Sequence, residues 1–446
     1  MLRALKKAPL PVVLLIFSFL CPTEFSLFLA GLRLPPHRVV LIVLLGFAAM
    51  RFLTRRDIHI QSFDVFFLLF NIWTVYAFSY HDGSGAGLVY GGSLALESLG
   101  AYLIARAYVR DLNSLRATLK VMLLAIAIAA TVALPETFLG KNFTHDMLYA
   151  LTGYHHPTAV QTRLGLTRAY GTFDHPIHYG TFCAGLLALL WFSQPEASKR
   201  RGRAALVTGA TFLGISSAPL LCLILQIAMI AWERITRFIP ARTLVSLVAL
   251  VGLFIGIQIV STRSVFTVIA TRLTLDSWTG FYRIQIWEHG MANVWMHPWI
   301  GLGLAEWERP WWMVSSTIDA FWLVIAVREG IPAFLLLALA IGLLGYNVIS
   351  HRKIKVEPER RRLVMGWMMS LIALCLIALT VHFWNVLYAY FFFFLGLGGC
   401  LADPKVRRKY LKQRAVRRHG GHAKRNINWP TPNHGPRPAT QPGLAT

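Results

Sequence analysis

Arg168 opens the run Arg168-Ala169-Tyr170-Gly171-Thr172-Phe173-Asp174-His175-Pro176. Arg283 opens Arg283-Ile284-Gln285-Ile286-Trp287, ahead of a turn-forming His297-Pro298-Trp299-Ile300-Gly301-Leu302-Gly303. A guanidinium is planar, forked and permanently charged, so each can hold a carboxylate or a phosphate group through paired hydrogen bonds. Asp319, in Ile318-Asp319-Ala320-Phe321-Trp322-Leu323, supplies what the arginines lack, an acceptor for a proton. Partial burial raises a carboxyl pKa toward a value useful for general-base work. Each residue also has a purely structural reading: the arginines could snorkel to phospholipid headgroups, and Asp319 could cap the helix that it precedes.

Other chemistries lack their residues. The chain has no GxxxxGK[ST] loop, no GxGxxG after a strand, no HExxH pair and no DxD motif, so no soluble cofactor is expected. Of the 15 histidines, His155, His156, His175, His178, His289 and His297 fall in one set of loops, but not at ligand spacing with cysteines or paired carboxylates, so no metal is expected. The five cysteines all lie within or at the ends of apolar stretches, without CxxC pairing, and read as small packing residues.

The elements that must position these residues are helices in lipid. Hydrophobic residues make up 56% of the 446 and charged residues only 14%, more apolar surface than one water-soluble core consumes. Charges fall in short clusters between apolar runs of the length that crosses a hydrocarbon core. Candidate spans lie near 9–30, 36–53, 62–80, 86–106, 114–135, 177–194, 203–217, 218–233, 242–261, 319–347, 363–381 and 383–402. The expected fold is therefore all-α, a polytopic membrane bundle of about 12 transmembrane helices. At Ser216-Ser217-Ala218-Pro219 the alternatives are a tight turn between two helices and one helix kinked at Pro219.

Charge explains orientation before it suggests a nucleic-acid partner. The net charge is +24, yet most of the 44 Lys and Arg residues fall in alternate loops if both termini are cytoplasmic, as the positive-inside rule requires. That puts Arg168, Arg283 and Asp319 on the outward side of the membrane. Residues 1–402 form the membrane domain, with a large periplasmic loop at 262–318 before the tenth span. Its helical part would place Phe281, Ile284, Trp287 and Met291 on one apolar face. Residues 403–446 form a basic tail suited to anionic lipid, without the aromatic interleaving of a nucleic-acid module. Within spans, Glu97 and Glu329 stand out, because a lone carboxylate at mid-membrane costs about 2.5–3.5 kcal/mol on insertion scales. Each either pairs across helices or lines a polar cavity.

In these motifs the chain resembles the O-antigen ligase and O-antigen polymerase family. Its members show R-x-x-G-x-F-x-x-P, then R-x-x-x-W followed by H-P-x-x-G-x-G, then an element beginning the span after the large loop. The likeness runs from about Arg168 to Pro332. It implies an inverting, metal-independent glycosyl transfer from an undecaprenyl-diphosphate-linked glycan to a glycan or lipid acceptor. Arg168 and Arg283 would bind the diphosphate and Asp319 would act in catalysis, with Gly171, His175, Trp287, His297, Gly301 and Gly303 in support. Two departures stand out: Asp319-Ala320 where many members carry His-Asn, and Ser216-Ser217 where Ser-Arg is frequent. The alternative is a transporter or flippase of lipid-linked glycan, because broken helices and intramembrane carboxylates also suit alternating access.

Overall fold

The computed structural model describes residues 7–29, 32–55, 58–154, 159–239, 277–350 and 358–402. These residues form a helical bundle with two small hairpins. In chain order the helices are α1 (Leu10–Ser18), α2 (Pro36–Thr54), α3 (Ser62–Asp82), α4 (Leu88–Tyr108), α5 (Leu112–Leu139), α6 (Phe143–Thr152) and α7 (Pro176–Ala184). They continue as α8 (Leu187–Phe192), α9 (Ala197–Leu213), α10 (Ser217–Thr236), α11 (Ser277–Met296), α12 (Phe321–Ser350), α13 (Pro358–Ile377) and α14 (Asn385–Ala402). The strand pairs are β1 (Leu27–Leu29) with β2 (Leu32–Leu34), and β3 (Thr162–Arg163) with β4 (Leu166–Thr167), both antiparallel.

Among the described residues, six stretches are long and apolar enough to cross a membrane: 36–54, 62–108, 112–139, 217–236, 321–350 and 385–402. The second folds into two helices. Gly83, at φ 75°, ends α3, and the chain returns as α4 with Gly87 and Gly91 against the backbone of Phe78 and Val75. The expected span at 242–261 and the basic tail lie outside the described residues.

Two expected spans differ, and one open alternative is resolved. The run near 9–30 is helical only over Leu10–Ser18, about 14 Å of helix against a hydrocarbon core of about 30 Å. Pro22 then directs the chain into a turn holding Glu24, and β1–β2 follows. The run near 177–194 is broken into α7 and α8. Gln226 of α10 fills the break, accepting the Ala188 N–H at 2.9 Å and donating to the Ala184 carbonyl at 2.9 Å, so the freed backbone groups stay paired in an apolar setting. The Ser216–Pro219 question resolves into two helices, α9 and α10, joined at Gly214-Ile215-Ser216 with Ile215 at φ 37°.

α14 sits at the centre. Its sequence is apolar on every face, and it is 94% buried, as a helix hydrophobic all round must be. Phe391, Phe392, Phe393 and Phe394 pack inside the main core, while α2 turns Val43, Phe47, Met50 and Leu53 outward. Polar pairs pin the bundle at two ends. At one, Arg106 holds Asp64 through two contacts of 3.1 Å and is fully buried in this ion pair. At the other, Glu97 accepts from His37 at 2.9 Å and from Arg38 at 2.6 Å, which makes it a pairing carboxylate between α4 and α2.

Candidate functional site

The segment carrying Arg168 is built by β3–β4, whose tight turn places Leu164 and Gly165 at positive φ. Arg168 emerges from β4 with its amide on Gln161 O at 2.9 Å, and Ala169 docks on Leu213 O at 3.1 Å. The guanidinium is almost fully buried. It donates to Ser216 Oγ at 2.8 Å and to Gln161 Oε1. Ser216 is thus the partner of Arg168, at the very dipeptide where the expected second charge is missing. Burial, with repulsion from Arg163 and Arg283, lowers the Arg168 pKa to about 10, so it stays cationic at neutral pH.

Gly171 and His175 have structural duties in this segment. Gly171, at φ 60°, donates its N–H to Glu136 Oε2 at 2.8 Å, and Tyr170 does so at 3.0 Å. Glu136, fully buried near the end of α5, therefore closes the turn that presents Arg168. His175 caps α7, its Nδ1 accepting from Ile177 N at 3.1 Å. Between them, Asp174 accepts from Thr23 at 2.7 Å and from Asn385 at 2.8 Å, joining the N-terminal turn to the start of α14.

α11 is a single helix of 20 residues. Its protein-facing side is not the apolar face expected from the sequence: Arg283, Ile286, Gly290, Asn293 and Val294 are buried, whereas Phe281 is exposed and Ile284, Trp287 and Met291 are half-buried. Trp287 Nε1 donates to Leu379 O at 2.8 Å, anchoring α11 to the end of α13.

The His297–Gly303 turn is a docking element, and the His297 side chain is exposed. α12 is broken at Gly330, which has φ 83° and ψ 171°. Leu302 N donates to Val327 O at 2.9 Å, Gly303 N to Arg328 O at 3.0 Å, and Ile331 N to Pro298 O at 2.8 Å. The turn thereby satisfies the groups that the break frees. Gly301 and Gly330 permit the approach: a Cβ on Gly301 would lie 2.4 Å from Arg328 C, and one on Gly330 would lie 2.2 Å from Trp299 O.

Asp319 is half-buried at the end of the loop that leads into α12. Burial raises its pKa above the ordinary 3.8, opposed by the nearby Arg283 and by Thr317. The capping alternative finds no support in the helix start, since the Phe321 N–H goes to Val381 O at 3.1 Å. Arg283 thus acts electrostatically on both Arg168 and Asp319.

Beside Asp319 opens a cavity of about 230 Å³ whose lining includes Thr317, Arg328, Glu329, His382, Tyr90, Trp384 and Tyr388. Glu329 is the second intramembrane carboxylate, buried and bonded to Thr74 Oγ1 at 2.5 Å, with its backbone carbonyl held by Trp73 Nε1 at 2.9 Å. Burial and Arg328 lower the His382 pKa to about 4, so its ring is neutral. Trp384 links the cavity to α7, its ring centroid 3.6 Å from that of His178 and 6.1 Å from that of His175. His382, Trp384, Tyr388 and Glu136 had no motif to announce them; their signal was position alone, at helix ends in an apolar chain. Among the described residues, no group of three or more His, Cys, Asp or Glu is placed to hold a metal ion.

No model of a known protein family matches this chain, and no curated protein matches it significantly.

Proposed function

We propose that the chain is an envelope polysaccharide enzyme of the O-antigen ligase or polymerase type, transferring glycan from an undecaprenyl-diphosphate carrier to a glycan or lipid acceptor. The observation that carries the reading is that Arg283 acts electrostatically both on Arg168, 115 positions before it in the chain, and on Asp319, 36 positions after it, beside a polar-aromatic cavity. In this mechanism the acceptor hydroxyl attacks the anomeric carbon from the face opposite the diphosphate. The glycosidic C–O bond to the diphosphate breaks, its electron pair leaves on the carrier, and Asp319 takes the hydroxyl proton. Arg168 and Arg283 stabilise the charge that develops on the leaving diphosphate. The reading includes about twelve spans, an inner-membrane location, both termini cytoplasmic, and the three residues on the periplasmic side.

The broken helix α12 and its buried Glu329 also fit a flippase of lipid-linked glycan. The break argues against it: the backbone groups freed around Gly330 are bonded to the His297–Gly303 turn, which leaves that site fixed instead of poised to rock.

The test is Arg168→Ala and Arg283→Ala in cells whose surface glycan is measured. Both should abolish transfer while the protein still inserts, and Lys should rescue only in part, because a point charge cannot reproduce forked binding. Full glycan in both alanine variants would reduce the arginines to headgroup anchors and sink the reading.

A further inference from the structure

The cavity at the break of α12 has a composition that selects its occupant. Glu329 presents a buried carboxylate, which when ionised only accepts hydrogen bonds. His382 adds a neutral imidazole, which donates at one nitrogen and accepts at the other. Trp384 and Tyr388 contribute aromatic wall. An anion is disfavoured there, since Arg328 already feels the charges of Glu306 and Asp82 and two of its contacts go to the Gly303 and Ala305 carbonyls. A volume of about 230 Å³ is below the roughly 300–1,000 Å³ of pockets that take drug-sized ligands, which excludes a nucleotide or several sugar rings at once. What remains is one small, uncharged, polyhydroxylated ring with an apolar face.

We infer that this cavity binds a single sugar ring, the terminal residue of the acceptor, through hydroxyl groups donating to Glu329 and an apolar face laid against Trp384. The acceptor assignment rests on the transfer reading above; the sugar site itself does not. Thr317 and Ile318 are the geometric link, because both line the cavity and directly precede Asp319 in the chain. A ring seated against Glu329 therefore lies next to the carboxylate that would receive its proton, while the donor diphosphate occupies the arginine side. Glu329 acts here by binding, and proton transfer stays with Asp319.

The experiment uses the full chain in lipid nanodiscs without lipid-linked glycan. Methyl glycosides of neutral hexoses, 6-deoxyhexoses, N-acetylhexosamines and uronic acids are titrated and followed by saturation-transfer NMR. At least one neutral glycoside should bind. Glu329→Gln should weaken it about tenfold, the loss expected for one hydrogen bond to a charged group. Trp384→Ala should weaken it at least as much, with Trp384→Phe retaining most of the affinity and serving as the comparison if the alanine variant fails to fold. Arg168→Ala should bind the glycoside like the parent. Absence of binding by every glycoside overturns the inference, as does affinity unchanged by both Glu329→Gln and the Trp384 variants, or binding lost equally in Arg168→Ala. Failure of the transfer reading has a separate signature, surface glycan retained in the arginine variants.

Discussion

Glu136 Oε2 accepts the backbone N–H of Gly171 at 2.8 Å, so a carboxylate at the end of α5 holds the turn from which Arg168 projects. The same oxygen takes the Tyr170 N–H at 3.0 Å. Glu136→Ala would leave two buried amides unpaired, at about 1–3 kcal/mol for each. We expect a lower melting temperature in detergent and a loss of transfer together, whereas Glu136→Gln, whose amide oxygen can still accept, should keep most of both. Parent-like melting of the alanine variant would show that the turn closes without Glu136.

Gly330→Ala should uncouple the His297–Gly303 turn from α12. The new Cβ would meet Trp299 O at 2.2 Å, and φ 83° is costly for an L side chain. Strain of about 1–3 kcal/mol is expected. Limited proteolysis within residues 297–317 should accelerate in this variant, and resistance equal to the parent's would mean that the docking survives.

Asp319 separates catalysis from stability. As a general base it must be ionised, so transfer should fall as pH drops through its folded pKa, which burial holds above the ordinary 3.8. Stability runs the opposite way. A carboxyl whose folded pKa is raised favours the fold while protonated, below its unfolded value, and that contribution is lost as pH rises through the folded value. Asp319→Asn should lower turnover about 10²-fold or more at unchanged membrane-inserted protein. An active Asn variant would leave the two arginines as the supported site.

His145 and Glu24 form a buried pair between α6 and the N-terminal turn. Burial opposes the imidazolium, but the hydrogen bond and charge of Glu24, with Glu136 and Asp174 behind it, raise the pKa above the ordinary 6.5. The pair should therefore stabilise the fold fully below pH 6.5 and lose that contribution as pH rises through the folded value. Melting temperatures across this range should fall with pH in the parent and flatten in His145→Gln; equal slopes would assign the dependence to another group.

Orientation is tested by reporter fusions. Fusions after Arg56, Lys120 and Arg203 should read cytoplasmic and one within residues 271–290 periplasmic, following the distribution of basic residues. A cytoplasmic reading for that loop would put the arginines on the wrong side for a periplasmic donor.

Long apolar runs bounded by charge determined the helices from α2 to α5 and the final span to within a few residues, because helix length and hydrocarbon thickness are properties of the local chain. Arg168, Arg283 and Asp319 likewise stood out as candidates, since charged residues are only 14% of so apolar a chain. What local pattern could not contain is pairing at distance. The first run stops at Ser18 and Glu24 downstream is bound by His145, while the run at 177–194 breaks where Gln226 can fill the gap. The glycines of the His297–Gly303 turn have a steric role that their own segment does not show: Gly301 lies against the backbone of Arg328 and Glu329, and Gly303 against the side chains of Asp82 and His81. The apolar face of α11 misled for a related reason: in lipid an apolar side can face outward, so the buried side is chosen by what Arg283 and Gly290 meet. Only the packed bundle brought His382 and Trp384 to the cavity beside Thr317, because their places depend on how α14 seats among its neighbours and not on anything in their own segment.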